Sequence, residues 1–77
     1  MEKWFVPVLV RIDESGKIDP QLIEFEGKKY RIDRILDRGP AACQSVGGVG
    51  IKYTCLVLGQ VTELWEEKGQ WFVVKKS

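Results

Sequence analysis

Three groups of residues in this sequence are of types that could do chemistry. The first is the run Gly47-Gly48-Val49-Gly50-Ile51-Lys52. Glycines bare their backbone N–H groups and a lysine neutralises an anion, so such a run could cradle a phosphate. A P-loop, however, sets its lysine and hydroxyl at the start of a helix, and a dinucleotide site needs strand, glycine turn and helix in that order. A strand follows here, so structural glycine at a bulge or a barrel corner is the simpler role. The second group is acidic: Asp33, Asp37, Glu63, Glu66 and Glu67. Paired carboxylates can serve as general acid and base. These are interleaved with Arg31, Arg34 and Lys68, a pattern that ion pairs on a solvated surface explain without catalysis.

The third group is cationic. Lys28, Lys29, Arg31, Arg34, Arg38 and Lys52 fall in or near one strand and the loop leaving it, with Tyr30 and Tyr53 among them. Small β-barrels hold single-stranded nucleic acid by stacking bases on aromatics while cations follow the phosphates. Lys29, Arg31, Arg34, Lys52 and Tyr53 are the binding candidates on that reading. Lysine and arginine at a strand edge also discourage edge-to-edge pairing, and Asp33 and Asp37 dilute the positive field.

Other chemistry is not expected. The chain has no histidine, so it offers neither a Ser-His or Cys-His nucleophile pair nor an imidazole base. Cys43 and Cys55 lack the C-x-x-C spacing and the further ligands that zinc requires. No enzyme, cofactor or metal site is therefore predicted. With 12 Lys+Arg against 11 Asp+Glu, the net charge of +1 lacks the basic excess of a protein that coats nucleic acid indiscriminately.

Those candidates must be positioned by very few elements. The 77 residues, 44% of them hydrophobic, allow a single domain spanning 1–77 with a thin core. Trp4, Val6, Val8, Val10 and Ile12 form one wholly apolar face at period two, a strand. Pro7 cannot donate a ladder bond, so this strand belongs at an edge or carries a bulge. Asp13 to Lys17 is a turn. Gln21–Phe25 and Lys29–Asp37 are paired across Glu26-Gly27, which sets Ile23 opposite Tyr30 and Glu24 opposite Lys29. Arg38 to Gly50 is a long connection with, at most, one helical turn beginning at Pro40. Three strands follow, Ile51–Leu58, Val61–Glu66 and Gln70–Lys75, joined at Gly59-Gln60 and Lys68-Gly69.

That register puts Cys55, Leu64 and Val73 in one row, with Tyr53, Val57 and Trp71 on the same face. Leu56, Leu58, Val61, Trp65, Phe72 and Val74 share the opposite face with Lys52, Thr54, Glu63 and Glu67. Large apolar groups on both faces need two coverings. The expected fold is all-β, a small six-stranded antiparallel barrel or strongly curled sheet whose bent strands serve the core from both faces. Its predicted core is Val6, Val8, Val10, Ile23, Tyr30, Ile32, Cys55, Val57, Leu64, Trp71 and Val73. The alternative is that Trp65 and Phe72 form an exposed patch for a partner protein or a second copy.

The opening run Phe5 to Val10 is shorter than the about 20 residues that span a bilayer and lacks a leader cleavage site. A cytoplasmic protein with reduced thiols and no membrane contact is expected.

Tyr30-Arg31-Ile32-Asp33-Arg34-Ile35-Leu36-Asp37, Ala41-Ala42, Gly47 to Thr54 and Trp71-Phe72-Val73 together resemble a family of short uncharacterised bacterial proteins, mainly of Gram-positive anaerobes. Members usually carry arginine before the tyrosine that follows the glycine loop, where this chain has Lys52. The resemblance implies a bacterial cytosolic origin and a single domain, and it assigns no activity or site residue.

The sequence thus predicts a non-catalytic binding module. Its ligand is single-stranded nucleic acid, held by Lys29, Arg31, Arg34, Lys52 and Tyr53. The alternative is protein association or homodimerisation, through an open strand edge or the Trp65/Phe72 face.

Overall fold

The computed structural model describes residues 2–42 and 49–75. Eight strands form where apolar and polar residues alternate between turns: β1 (Glu2–Phe5), β2 (Val8–Ile12), β3 (Ile18–Phe25), β4 (Lys28–Arg31), β5 (Arg34–Ala42), β6 (Val49–Val57), β7 (Gln60–Glu67) and β8 (Gln70–Lys75). They pair as two antiparallel sheets, a five-stranded one ordered β1-β8-β7-β6-β5 and a three-stranded one ordered β2-β3-β4. The described residues contain no helix, and hence none long and apolar enough to cross a membrane.

Two of the six strands expected from the sequence are each divided between the sheets. The first bends at Val6-Pro7 and the third at Ile32-Asp33. Each bend keeps its backbone satisfied by bonding once to either sheet. Val6 N–H donates to the Trp71 carbonyl and Glu24 N–H to the Pro7 carbonyl, both at 2.9 Å. At the other bend Ile32 N–H donates to the Gln21 carbonyl and Asp33 N–H to that of Leu56, again at 2.9 Å. Proline, lacking a donor, occupies a point where the ladder is interrupted anyway. The predicted irregularity of this strand continues as a register shift between Leu9 and Val10.

The sequence-based picture of residues 38–50 needs correction. Arg38 to Ala42 continue β5, and Pro40 lies opposite Ile51 in the ladder, so no helical turn begins there. Proline is tolerated because β5 is an edge of its sheet, where the missing N–H points away from the partner strand. Val49 and Gly50, expected to end the connection, instead open β6 opposite Ala42 and Ala41. The part between, residues 43–48 with Cys43, Gly47 and Gly48, lies outside the described residues.

Three hairpins turn on the same two-residue device. Glu26-Gly27, Leu58-Gly59 and Lys68-Gly69 all have positive φ at both positions, from 51° to 82°. This is the pattern of a type I′ turn, whose twist matches that of the strands it joins. The first and third were expected. The second falls at Leu58-Gly59 instead of Gly59-Gln60, because glycine belongs at the second position in each case. Tyr53 therefore faces Leu64, and Cys55 faces Thr62 instead of Leu64. The correction moves the pairing by two residues and so leaves every side chain on its expected face.

The inner face of the large sheet packs on the small one. Val6, Ile23, Ile32, Tyr53, Cys55 and Leu64 form the buried cluster, flanked by Val8, Phe25, Ile35, Ile51, Val57, Trp71 and Val73. Of the predicted core, Val6, Ile23, Ile32, Cys55 and Leu64 are buried and Val8, Val57, Trp71 and Val73 are half-buried against them, while Val10 and Tyr30 are half-buried outside the cluster.

The outer face of the large sheet carries a second cluster, Trp65 and Phe72, with Ala41 and Val74 against it. Their relative exposures are 7% and 2%, so they do not form the exposed patch offered as an alternative. The two rings stack at 6.1 Å and 9°, and Phe5 meets Phe72 edge-on at 5.8 Å. The ammonium groups of Lys3 and Lys52 lie 4.9 Å and 5.8 Å from the Phe72 and Trp65 centroids. Each lysine is in turn held 3.5 Å from a glutamate, Glu67 and Glu63 respectively. Long lysine stems supply apolar cover while keeping their charge in water, which is how one sheet has two buried faces in so short a chain.

Candidate nucleic-acid interface

The five predicted binding residues do not converge. Tyr53 is 5% exposed and lies inside, its ring 5.2 Å from Trp71 and 5.5 Å from the Arg38 guanidinium. Burial pushes its phenol above the ordinary value, with Arg38 partly opposing. Stacking on a base is therefore closed to Tyr53. Alternation is the cause: Arg38, Tyr53 and Leu64 form one inward row, and the neighbouring Lys52 points outward beside Trp65. Lys52 is taken up by Glu63 and the indole face. Arg38, from the wider cationic group, is also structural. Its guanidinium donates to the Ile18 carbonyl at 2.7 Å and to the Asp19 carboxylate.

Lys29, Arg31 and Arg34 remain exposed, and Lys28 joins them. The ion pairs among the described residues are Lys3–Glu67, Arg38–Asp19 and Lys52–Glu63, so none of these four cations has a carboxylate partner there. They lie along β4 and the first residue of β5, and β4 is an edge of the small sheet. The expected cross-strand neighbours are present, with Tyr30 opposite Ile23 and Lys29 opposite Glu24.

Period two also sorts the cations. Lys29 and Arg31 share the outer face with Glu24 and Leu22, whereas Lys28 lies opposite Phe25 on the face of Tyr30 and Ile23. That face opens into a cleft of about 340 Å³ between the sheets, lined by Ile23, Phe25, Tyr30, Val57, Gln60, Thr62 and Val73. Phe25 is braced by Trp4, whose ring lies 5.4 Å away. The usable aromatic beside the cations is therefore Tyr30 with Phe25, not Tyr53. The signal was in the register itself: the pairing that sets Ile23 against Tyr30 also sets Phe25 against Lys28.

Among the described residues no three His, Cys, Asp or Glu side chains gather into a metal-holding group. Cys55, a free and fully buried thiol, has its pKa raised by burial, which makes it a poor nucleophile.

No protein-family model, no curated protein and no solved structure matches the chain.

Proposed function

We propose that the chain is a non-catalytic module that binds single-stranded nucleic acid along the β4 edge. The observation that carries this is the set of four exposed cations, Lys28, Lys29, Arg31 and Arg34, on one short stretch with no carboxylate partner among the described residues. Elsewhere on the described surface, Lys3, Arg38 and Lys52 each have a carboxylate partner, while Arg11, Lys17 and Lys68 are exposed without one but occur singly along the sequence. A row of unpaired cations next to accessible aromatic rings suits phosphates and unstacked bases together. On this proposal the two sheets act as one small, strongly curled barrel, because the chain passes unbroken from one to the other at both bends. A bacterial cytoplasmic setting accords with thiols kept reduced.

Fluorescence anisotropy with a labelled mixed-sequence oligonucleotide at low salt tests the proposal. Binding should weaken as salt rises. A Lys29→Ala, Arg31→Ala, Arg34→Ala variant should flatten the log–log salt slope by about 0.7 for each phosphate that is no longer neutralised. No binding at tens of micromolar protein removes the proposal.

A second reading, protein association, draws on a different surface. Leu58 and Val61, 74% and 65% exposed, lie with Leu36 and Leu56 at one end of the large sheet. Sedimentation across a concentration series separates monomer from homodimer. Apolar association should hold or strengthen in sulfate, where phosphate binding fails.

A further inference from the structure

We propose that the cleft between the sheets holds one unstacked nucleobase of the bound strand, with Lys28 at its rim meeting the adjoining phosphate; this rests on the nucleic-acid reading above. The walls are largely apolar, with Phe25 and Tyr30 from the small sheet on one side and Val57 and Val73 from the large sheet on the other. At about 340 Å³ the cleft lies at the small end of the range that single small ligands occupy.

Its polar groups are few and available. Among the described residues neither the Tyr30 hydroxyl nor the Gln60 side-chain amide has a hydrogen-bond partner. The Thr62 hydroxyl makes only a long contact, 3.5 Å, to the Gln60 carbonyl. A base has the complementary anatomy, two apolar faces and an edge of donors and acceptors. A phosphodiester has no place between these walls, since no cation lines them; the charge sits outside, on Lys28 opposite Phe25. A plain acyl chain would leave both the polar groups and the rim lysine unused.

The test compares two labelled strands of equal length, one bearing 2-aminopurine among thymines and one abasic throughout, so that their phosphates are identical. The base-bearing strand should bind about tenfold more tightly or better, as expected for one stacked base, with a change in 2-aminopurine emission. Val57→Trp, which fills the cleft, should bring its affinity down to that of the abasic strand while leaving abasic binding and the salt slope unchanged. Tyr30→Phe keeps the ring and the packing, and should lower affinity for the base-bearing strand alone by a smaller factor. Equal affinity for both strands, or indifference to both substitutions, overturns the base site while leaving phosphate binding along β4 standing. If neither strand binds, the nucleic-acid reading fails and the base site with it.

Discussion

Arg38 on β5 forms an ion pair with Asp19 on β3, and this pair joins two strands that share no ladder among the described residues. The same guanidinium donates to the Ile18 carbonyl at 2.7 Å and lies 5.5 Å from the Tyr53 ring. One side chain thus spans the seam between the large and small sheets beyond the bend at Ile32-Asp33. Both members of the pair are less than a third exposed, so solvent screens the interaction only partly.

Removing that side chain should be costly for a small domain. Arg38→Ala removes a charged hydrogen bond to a carbonyl and strands Asp19, and is expected to lower stability by about 2 kcal/mol. Arg38→Lys should recover only part of this, because an ammonium lacks the planar fork that reaches both acceptors. Urea unfolding of the three proteins checks the order.

Phe72 and Phe5 touch, yet their substitutions should differ sharply. Phe72 is 2% exposed, and Phe72→Ala is expected to cost about 3–5 kcal/mol. Phe5 is 58% exposed and contributes mainly an edge interaction, so Phe5→Ala should cost about 0.5–1 kcal/mol. Thermal unfolding distinguishes them. A Phe72→Ala protein of unchanged stability but weakened self-association would restore the aromatic pair as an interaction surface.

Gly50 lies against Glu66 and Glu67, where β6 and β7 approach closely. A Cβ at this position would run into the Glu66 carbonyl oxygen and come within 3.4 Å of Glu67 Cβ. Gly50→Ala is therefore expected to lower stability by about 1–3 kcal/mol, whereas Gly39→Ala, with nothing within 4 Å, should cost far less. Denaturant midpoints of the two variants make the comparison.

Leu58 occupies the first position of its turn at φ 52° with its side chain in water. Left-handed backbone disfavours most side chains and is better tolerated by asparagine. Leu58→Asn should raise stability by about 0.5–1 kcal/mol, by the same turn preference. A lower melting temperature would contradict the turn type.

Alkali should destabilise the protein through two buried acids. Burial raises the pKa of the Cys55 thiol, and likewise that of the Tyr53 phenol, where Arg38 opposes it in part. The folded state thus holds these protons more tightly than the unfolded chain does. The resulting stability is complete below the ordinary values, 9.0 and 10.0, and is lost as pH rises through the raised ones. Stability measured from neutral pH upward should begin to fall near the thiol value, and Cys55→Val should delay that onset. On a Cys43→Ser background, Cys55 should react with a thiol reagent only as fast as the fold opens.

Much of the local structure is legible in residue types. Asp13, predicted to begin a turn, accepts from the backbone N–H groups of Ser15 and Lys17 at 2.9 Å, and the Ser15 hydroxyl bond together with these lowers its pKa. The pairs Ile23–Tyr30 and Glu24–Lys29 follow from the turn at Glu26-Gly27 alone. The turn at Leu58-Gly59 was hidden by its leucine, which reads as the end of an apolar strand. The candidate site was half legible: Lys29, Arg31 and Arg34 are exposed as expected, while Tyr53 and Lys52 are spent on the core and on Trp65.

By itself the sequence determined the alternation of each strand, its tight reversals and hence which side chains share a face. These are local consequences of a two-residue period and of glycines placed where φ must be positive. Only the tertiary structure decided which face is covered and by what. Trp65 and Phe72 are buried because lysines from β1 and β6 arch over them, and Tyr53 is interior because the chain bends at two points to bring the small sheet across it. Cover depends on contacts between residues far apart in the chain, which no local period encodes.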